Sequence, residues 1–166
     1  FVTPIFLILV GLGNGLGAGV ISAASRRIGA GDRVGADNVA MHGIAVVLAL
    51  AAIATPALLL FIEPLVLALG AGETAAYAVE YGSIVFAGTV FILLSDILYA
   101  VFTSEGSTRR MMYAVAASAV LNIALDPILI YGAGMGIAGA AWATLISAAA
   151  VCALLMYWLL VKKDTY

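Results

Sequence analysis

The sequence predicts an all-α, polytopic transmembrane helix bundle of five spans, and three observations lead there. Hydrophobic residues make up 65% of the 166, and charged residues only 10%. A soluble domain of that length is near half apolar and about a quarter charged. Mean hydropathy is +1.19. Finally, the seven Lys and Arg residues gather in three places, Arg26/Arg27/Arg33, Arg109/Arg110 and Lys162/Lys163, each separated from the next by two spans and so on one side.

Each span is judged against the roughly 20 apolar residues needed to cross a bilayer. The first, about 1–25, is glycine-dense, with Gly11, Gly15 and Gly19 at four-residue spacing and Gly13 and Gly17 between them. Small residues so spaced let helices approach closely. Asn14 is its one amide and reads as a bond to a neighbouring helix. A polar stretch from Arg26 to Asp37 follows, read as a solvated turn or short surface helix. The second span, about 39–62, contains Pro56 as an expected kink and His42 near its polar end. Glu63-Pro64, a short apolar stretch and Gly70-Ala71-Gly72-Glu73 connect it to the third span, about 75–102. That span carries Glu80 near its start and Asp96 deeper, between Ser95 and Tyr99. The fourth is about 111–131, and a glycine turn leads to the fifth, about 137–161. The chain starts at Phe1 inside an apolar helix, with no charged leader of the signal-peptide kind, which implies a piece of something longer.

The positive-inside rule places the basic side in the cytoplasm, so the N-terminal end lies outside and the C-terminus inside. Cys152 is the only cysteine, which excludes an internal disulfide or thiolate cluster and leaves a small core hydrophobe.

The fourth span holds Asn122-Ile123-Ala124-Leu125-Asp126-Pro127. A carboxylate in a span costs about 2.5–3.5 kcal/mol on insertion scales, so it needs a partner and marks a functional site. Asn122 and Asp126, four apart, share a helix face. Pro127 loosens the carbonyl of Ile123, which must then find another donor or an ion. Carboxylate, amide and carbonyl oxygens are the hard ligands of a small cation. Along a helix, Asp126 lies roughly 9 Å, Asn122 roughly 15 Å and Thr144 roughly 12 Å below the outer glycine turn. These three residues form the candidate cation or proton site, and Asp96 is a candidate second acid. The bland alternatives are an Asp126–Asn122 packing pair and a Thr144 hydroxyl bonded to its own helix.

Two apparent motifs are rejected. Gly134-Met135-Gly136-Ile137-Ala138-Gly139 fits G-x-G-x-x-G but lacks the preceding strand of a dinucleotide site. Gly29-Ala30-Gly31-Asp32 looks like the G-x-G-D run of intramembrane aspartyl proteases, but its acid lies in a loop among arginines. An intramembrane protease would need Asp96 and Asp126 face to face. Counted from the helix ends, roughly 10 Å from the inner and roughly 9 Å from the outer, they sit at opposite depths. No nucleophile elbow, His/Cys cluster or phosphate loop indicates an enzyme. Nothing suggests a tightly bound cofactor, and the basic pairs anchor topology rather than bind nucleic acid.

Several segments together resemble the multidrug and toxic compound extrusion family. They are Ser25-Arg26-Arg27-Ile28-Gly29-Ala30-Gly31-Asp32, Glu105-Gly106-Ser107-Thr108-Arg109-Arg110, Asn122 to Pro127, and Gly134 to Thr144. Their order and spacing over nearly the whole chain resemble helices two to six of a six-helix N-terminal lobe, in the manner of archaeal and related bacterial members. The resemblance implies a cation site on Asn122, Asp126 and Thr144, with Na⁺ as the candidate metal. It implies antiport of Na⁺ or H⁺ against cationic amphipathic drugs, with Asp126 as the switch. Partners would be the bilayer, the first helix and the C-terminal lobe. In the family a further acidic ligand lies in that first helix. Ser107 stands where the family usually has Asp, and Asp96 matches no motif position. A flippase for lipid-linked precursors, the runner-up, would line its cavity with basic residues, and none occurs in any span. A non-transporting membrane scaffold is a third reading.

Overall fold

A computed structural model describes residues 2–161. The third basic cluster, Lys162 and Lys163, and the orientation drawn from it lie outside the described residues. The chain runs as α1 (Val2–Gly29), α2 (Arg33–Ala68), a short 3-10 turn, α3 (Ala75–Ala87), α4 (Thr89–Ser104), α5 (Thr108–Pro127), a π turn (Ile128–Gly132) and α6 (Gly136–Val161). Four helices are long and apolar enough to span a membrane, and the bent pair α3–α4 makes a fifth span. Helix α4 is central, packing against α1, α2, α5 and α6. Its Leu93, Ile97, Leu98 and Phe102 are wholly buried, and Phe102 meets Trp158 of α6 edge to face, with ring centroids 6.4 Å apart.

The polar stretch expected over Arg26–Asp37 is mostly helix, and only three residues separate α1 from α2. Asp32 makes so short a turn workable. One carboxylate oxygen accepts from the Gly35 N–H at 2.8 Å, capping α2, and the other accepts from Arg27 at 2.6 Å. Gly31 takes the left-handed conformation, φ +74°, that the reversal needs. Helix α2 also outruns its predicted end. It continues unbroken through Pro56 and Pro64 to Ala68, absorbing Glu63 and the short apolar stretch expected in the loop.

Expected as one continuous span, the third is instead two helices bent by 49° at Gly88. The break frees the Phe86 carbonyl, and the wholly buried Thr89 hydroxyl donates to it at 2.7 Å. In hydrocarbon, that replacement is what permits a break. A Cβ on Gly88 would meet the Leu145 side chain of α6, so the bend is seated against the returning helix.

The fourth span leaves α-helical geometry directly after Pro127. Residues 128–132 form the π turn, in which the Ala133 N–H reaches the Ile128 carbonyl at 2.8 Å. The rejected glycine motif finds its purpose here. Gly134 and Gly136 have positive φ, and a Cβ on Gly139 would come within 2.7–2.9 Å of the Leu129 and Ile130 backbone. Only glycine lets α6 lie on the π turn.

Gly139→Ala is expected to destabilise the protein by about 2 kcal/mol, the order of an overpacked contact that backbone must relieve; thermal melting of the purified intact protein in detergent measures it. Asp32 gives a pH signature. The Arg27 guanidinium, and then the Gly35 N–H, hold its carboxyl below the usual carboxylate range. A lowered folded-state value means that its stabilisation is present above the unfolded carboxyl's titration and is lost as pH falls through the folded value. The melting difference between wild type and Asp32→Ala should therefore be present at neutral pH, narrow in high salt, and close on acidification below about pH 4.

Candidate functional site

Helices α4, α5 and α6, with Phe6 of α1 at one side, line an open cavity of about 450 Å³. Each helix contributes polar groups at helical spacing: Ser95, Asp96 and Tyr99 from α4, Ser118 and Asn122 from α5, Thr144 and Ser147 from α6. Apolar walls complete it, among them Ile92, Val115 and Val151.

Asn122 and Thr144, two members of the predicted site, thus face one space from adjacent helices. Asp126 does not line that space. It sits half-buried in the last turn of α5, next to Pro127 and the π turn. No hydrogen bond or ion pair joins Asn122 or Asp126 to any described residue, so the packing pair offered as the bland alternative is not formed. The bland alternative for Thr144 does occur, since its hydroxyl donates to the Ala140 carbonyl at 3.1 Å. That bond spends only the proton, and the oxygen lone pairs stay available to a cation. Among the described residues no group of three or more His, Cys, Asp or Glu could hold a metal. Amide, hydroxyl and carboxylate oxygens fit a hard monovalent cation or a proton better than a transition metal.

Asp96 lines the same cavity as Asn122 and Thr144, which runs along the helices, whereas Asp126, counted to the opposite depth, lies outside it. The second wall beside Asp96 is α1. A Cβ on Gly13 would overlap the Asp96 carboxylate, and one on Gly17 would come within 3.4 Å of Ala100. Gly13 and Gly17, not the Gly11/Gly15/Gly19 row, therefore carry the close helix approach. That outer row meets nothing within 4 Å in this chain. Pressed against Gly13, Asp96 Oδ2 is buried without a hydrogen-bond partner, as is Ser147 Oγ, while the Ser95 hydroxyl faces the Cys152 thiol. The sequence signal for this site was present in the pair Ser95-Asp96, but not its juxtaposition with Ser147.

The remaining candidates take their bland roles. The His42 ring donates to the Asn38 carbonyl of its own helix at 2.7 Å, and Cys152 is a buried core residue.

A family model described as MatE matches residues 1–128. A multidrug export protein, MepA, of Staphylococcus aureus is 35% identical over 97% of this chain, which covers 36% of that protein. MepA of Staphylococcus saprophyticus is 36% identical over the same shares. Among solved structures, the inward-facing conformation of a multidrug resistance MATE family transporter of the MOP superfamily is 42% identical. It superposes with a TM-score of 0.94 over 98% of this chain and 37% of that one. The outward-facing conformation gives 0.95 over 99% and 37%, again at 42% identity. A MOP superfamily transporter from Pyrococcus furiosus, described as having reversed polarity in its binding pocket, gives 0.94 at 42% identity, over 99% of this chain and 36% of that one. The chain spans about a third of the length of the relatives it matches.

The α1–α4 contact yields a double-mutant test. Gly13→Ala should lower the melting temperature of the intact protein, by an amount equivalent to about 2 kcal/mol. Combining it with Asp96→Ala, which removes the opposing carboxylate, should recover most of that loss.

Proposed function

Because the chain belongs to the MatE family, we propose that the intact protein is a secondary active transporter, not an enzyme, which exports cationic amphipathic compounds in exchange for Na⁺ or H⁺. The bundle described here supplies five of the six helices of one lobe, and in that lobe Asn122, Asp126 and Thr144 take the coupling ion. The observation that carries this reading is the meeting of Asn122 and Thr144 at one cavity, with the unpartnered carboxylate of Asp126 one turn further along α5.

Asp126 would act as the switch. A half-buried carboxylate with no partner is costly in a span, and a proton or Na⁺ removes that cost. The ion's preference for one arrangement over another can then shift the population of the lobe. The local element suited to respond is the end of α5. Ala114 is its one buried residue among those described, and beyond Pro127 its ladder is already widened into a π turn, a geometry frequent at functional sites. The near-equal fit of the bundle to inward- and outward-facing relatives supports a rocking motion in which the bundle moves largely as a unit. The cytoplasmic placement of the Arg26/Arg27/Arg33 and Arg109/Arg110 ends belongs to the same proposal, on the positive-inside rule.

The flippase reading is disfavoured by the cavity itself, whose lining among the described residues contains no Lys or Arg. A pyrophosphate-linked substrate would need such groups.

In vesicles containing the intact protein, a Na⁺ or H⁺ gradient should drive dye efflux, and Asp126→Asn at matched expression should lower it at least tenfold. Equal efflux from both would reduce Asp126 to a packing residue.

A further inference from the structure

The hairpin of α1 and α2 carries a surface that the coupling site does not use. A shallow groove of about 210 Å³ runs between the two helices, walled by Gly19 and Val20 of α1 and by Val39, Gly43 and Val46 of α2, with His42 at its edge. Glycine shapes it. A Cβ on Gly19 would meet nothing within 4 Å, so the space over it is open. Gly43 lets the helices close underneath, since a Cβ there would come within 2.7 Å of the Val20 side chain. Arg26 follows Gly19 by two helical turns and stands on the same face of α1, roughly 10 Å nearer the helix end. Of the arginines at that end, Arg27 is paired with Asp32 at 2.6 Å. Arg26 is exposed, and no described residue pairs with it. Between Arg26 and Asp37 three arginines stand against two aspartates, which leaves the turn positive.

We propose that this hairpin binds an anionic phospholipid, with one acyl chain in the groove over Gly19 and Gly43 and the phosphate against the Arg26 guanidinium. The two halves of the surface match the two halves of such a molecule. Apolar walls offer nothing to a soluble anion, which would lose its hydration there without replacement. The groove is smaller than a typical small-molecule pocket, but it is open along its side, as a single chain requires. The guanidinium and the groove also lie at the right relative depth. The apolar run of α2 begins at Val39, with Asn38 and His42 at the crossing, and Arg26 lies beyond it on the polar side. Long basic side chains at helix ends keep their charge at the interface in this way. Guanidinium and phosphate form a charge-assisted pair, and a basic group at a membrane surface favours anionic over zwitterionic lipid. The inference rests on the placement of the chain in a membrane and not on the exporter reading.

The test is photo-crosslinking of the intact protein in phosphatidylcholine vesicles. Each preparation contains a trace of either phosphatidylglycerol or phosphatidylcholine bearing a diazirine in one acyl chain, and labelled residues are mapped by mass spectrometry. Wild type is compared with Arg26→Gln, Gly19→Leu and Gly11→Leu. Gly19→Leu fills the groove from a position where a Cβ meets nothing, and Gly11→Leu adds the same side chain to the open row outside the groove. In wild type, the phosphatidylglycerol probe should label the groove walls about fivefold more than the phosphatidylcholine probe, the effect of one basic group at a membrane surface. Arg26→Gln and Gly19→Leu should each remove that excess, and Gly11→Leu should keep it. An excess that survives Arg26→Gln or Gly19→Leu, or is lost equally in Gly11→Leu, would overturn the proposal. So would groove walls that neither probe labels in wild type, since another part of the protein would then cover them. Removal of the excess by soluble glycerol 3-phosphate would also overturn it, leaving an anion site that does not need the chain.

Discussion

Hydrocarbon supplies no hydrogen-bond partners, so a membrane helix that departs from its ladder must mend its own backbone. The bundle is shaped by two such departures. At Gly88 the third span turns by 49°, and the Thr89 hydroxyl takes the place of the lost amide at the Phe86 carbonyl. After Pro127 the fourth span widens into a π turn whose amides still find carbonyls. Both departures are braced by α6, through Leu145 at the first and Gly139 at the second. Without those contacts neither interruption would have a fixed direction, and the cavity between α4, α5 and α6 would not have a fixed shape.

Packing around that cavity is uneven, and the unevenness has a mechanical meaning. Helix α4 buries half of its sixteen residues and acts as the fixed member. Helix α5 buries Ala114 alone and turns Val120 and Ile123 outward, as it does Tyr113. Low contact density is the physical content of a movable element. The candidate ion ligands on α5 therefore sit on the less anchored wall, whereas Asp96 sits on the rigid one.

Much of this was legible from sequence because a bilayer demands so few patterns. Apolar length identified the spans, and the pair Asn122/Asp126 with Pro127 drew attention to the helix end where the ladder does change. The break at Gly88 was missed because hydropathy is blind to it. Glycine followed by threonine was the available clue, and only the buried carbonyl of Phe86 shows why the threonine is needed. The helix ends were misjudged where charge was taken for loop, since the Arg27–Asp32 contact lets charged residues close a three-residue turn. The juxtaposition of Asp96 with Ser147 could not be read at all, because it depends on how α4 and α6 are rotated, and neither helix has a strongly one-sided pattern. Gly13 and Gly17 were visible as small residues, but not as the pair that faces a carboxylate.

Helix α2 carries a consequence for the way the bundle sits in its membrane. Its 36 residues give a rod roughly 54 Å long, against a hydrocarbon layer roughly 30 Å thick. The rod must lean or project, and the three-residue turn to α1 leaves it little freedom at the end where both helices meet. The surplus length is therefore taken up at the far end, around Glu63 and Pro64, which can rest among lipid headgroups. Thinner and thicker membranes would then be accommodated by tilt of this hairpin, making bilayer thickness a mechanical input to a bundle whose cavity lies only one helix away.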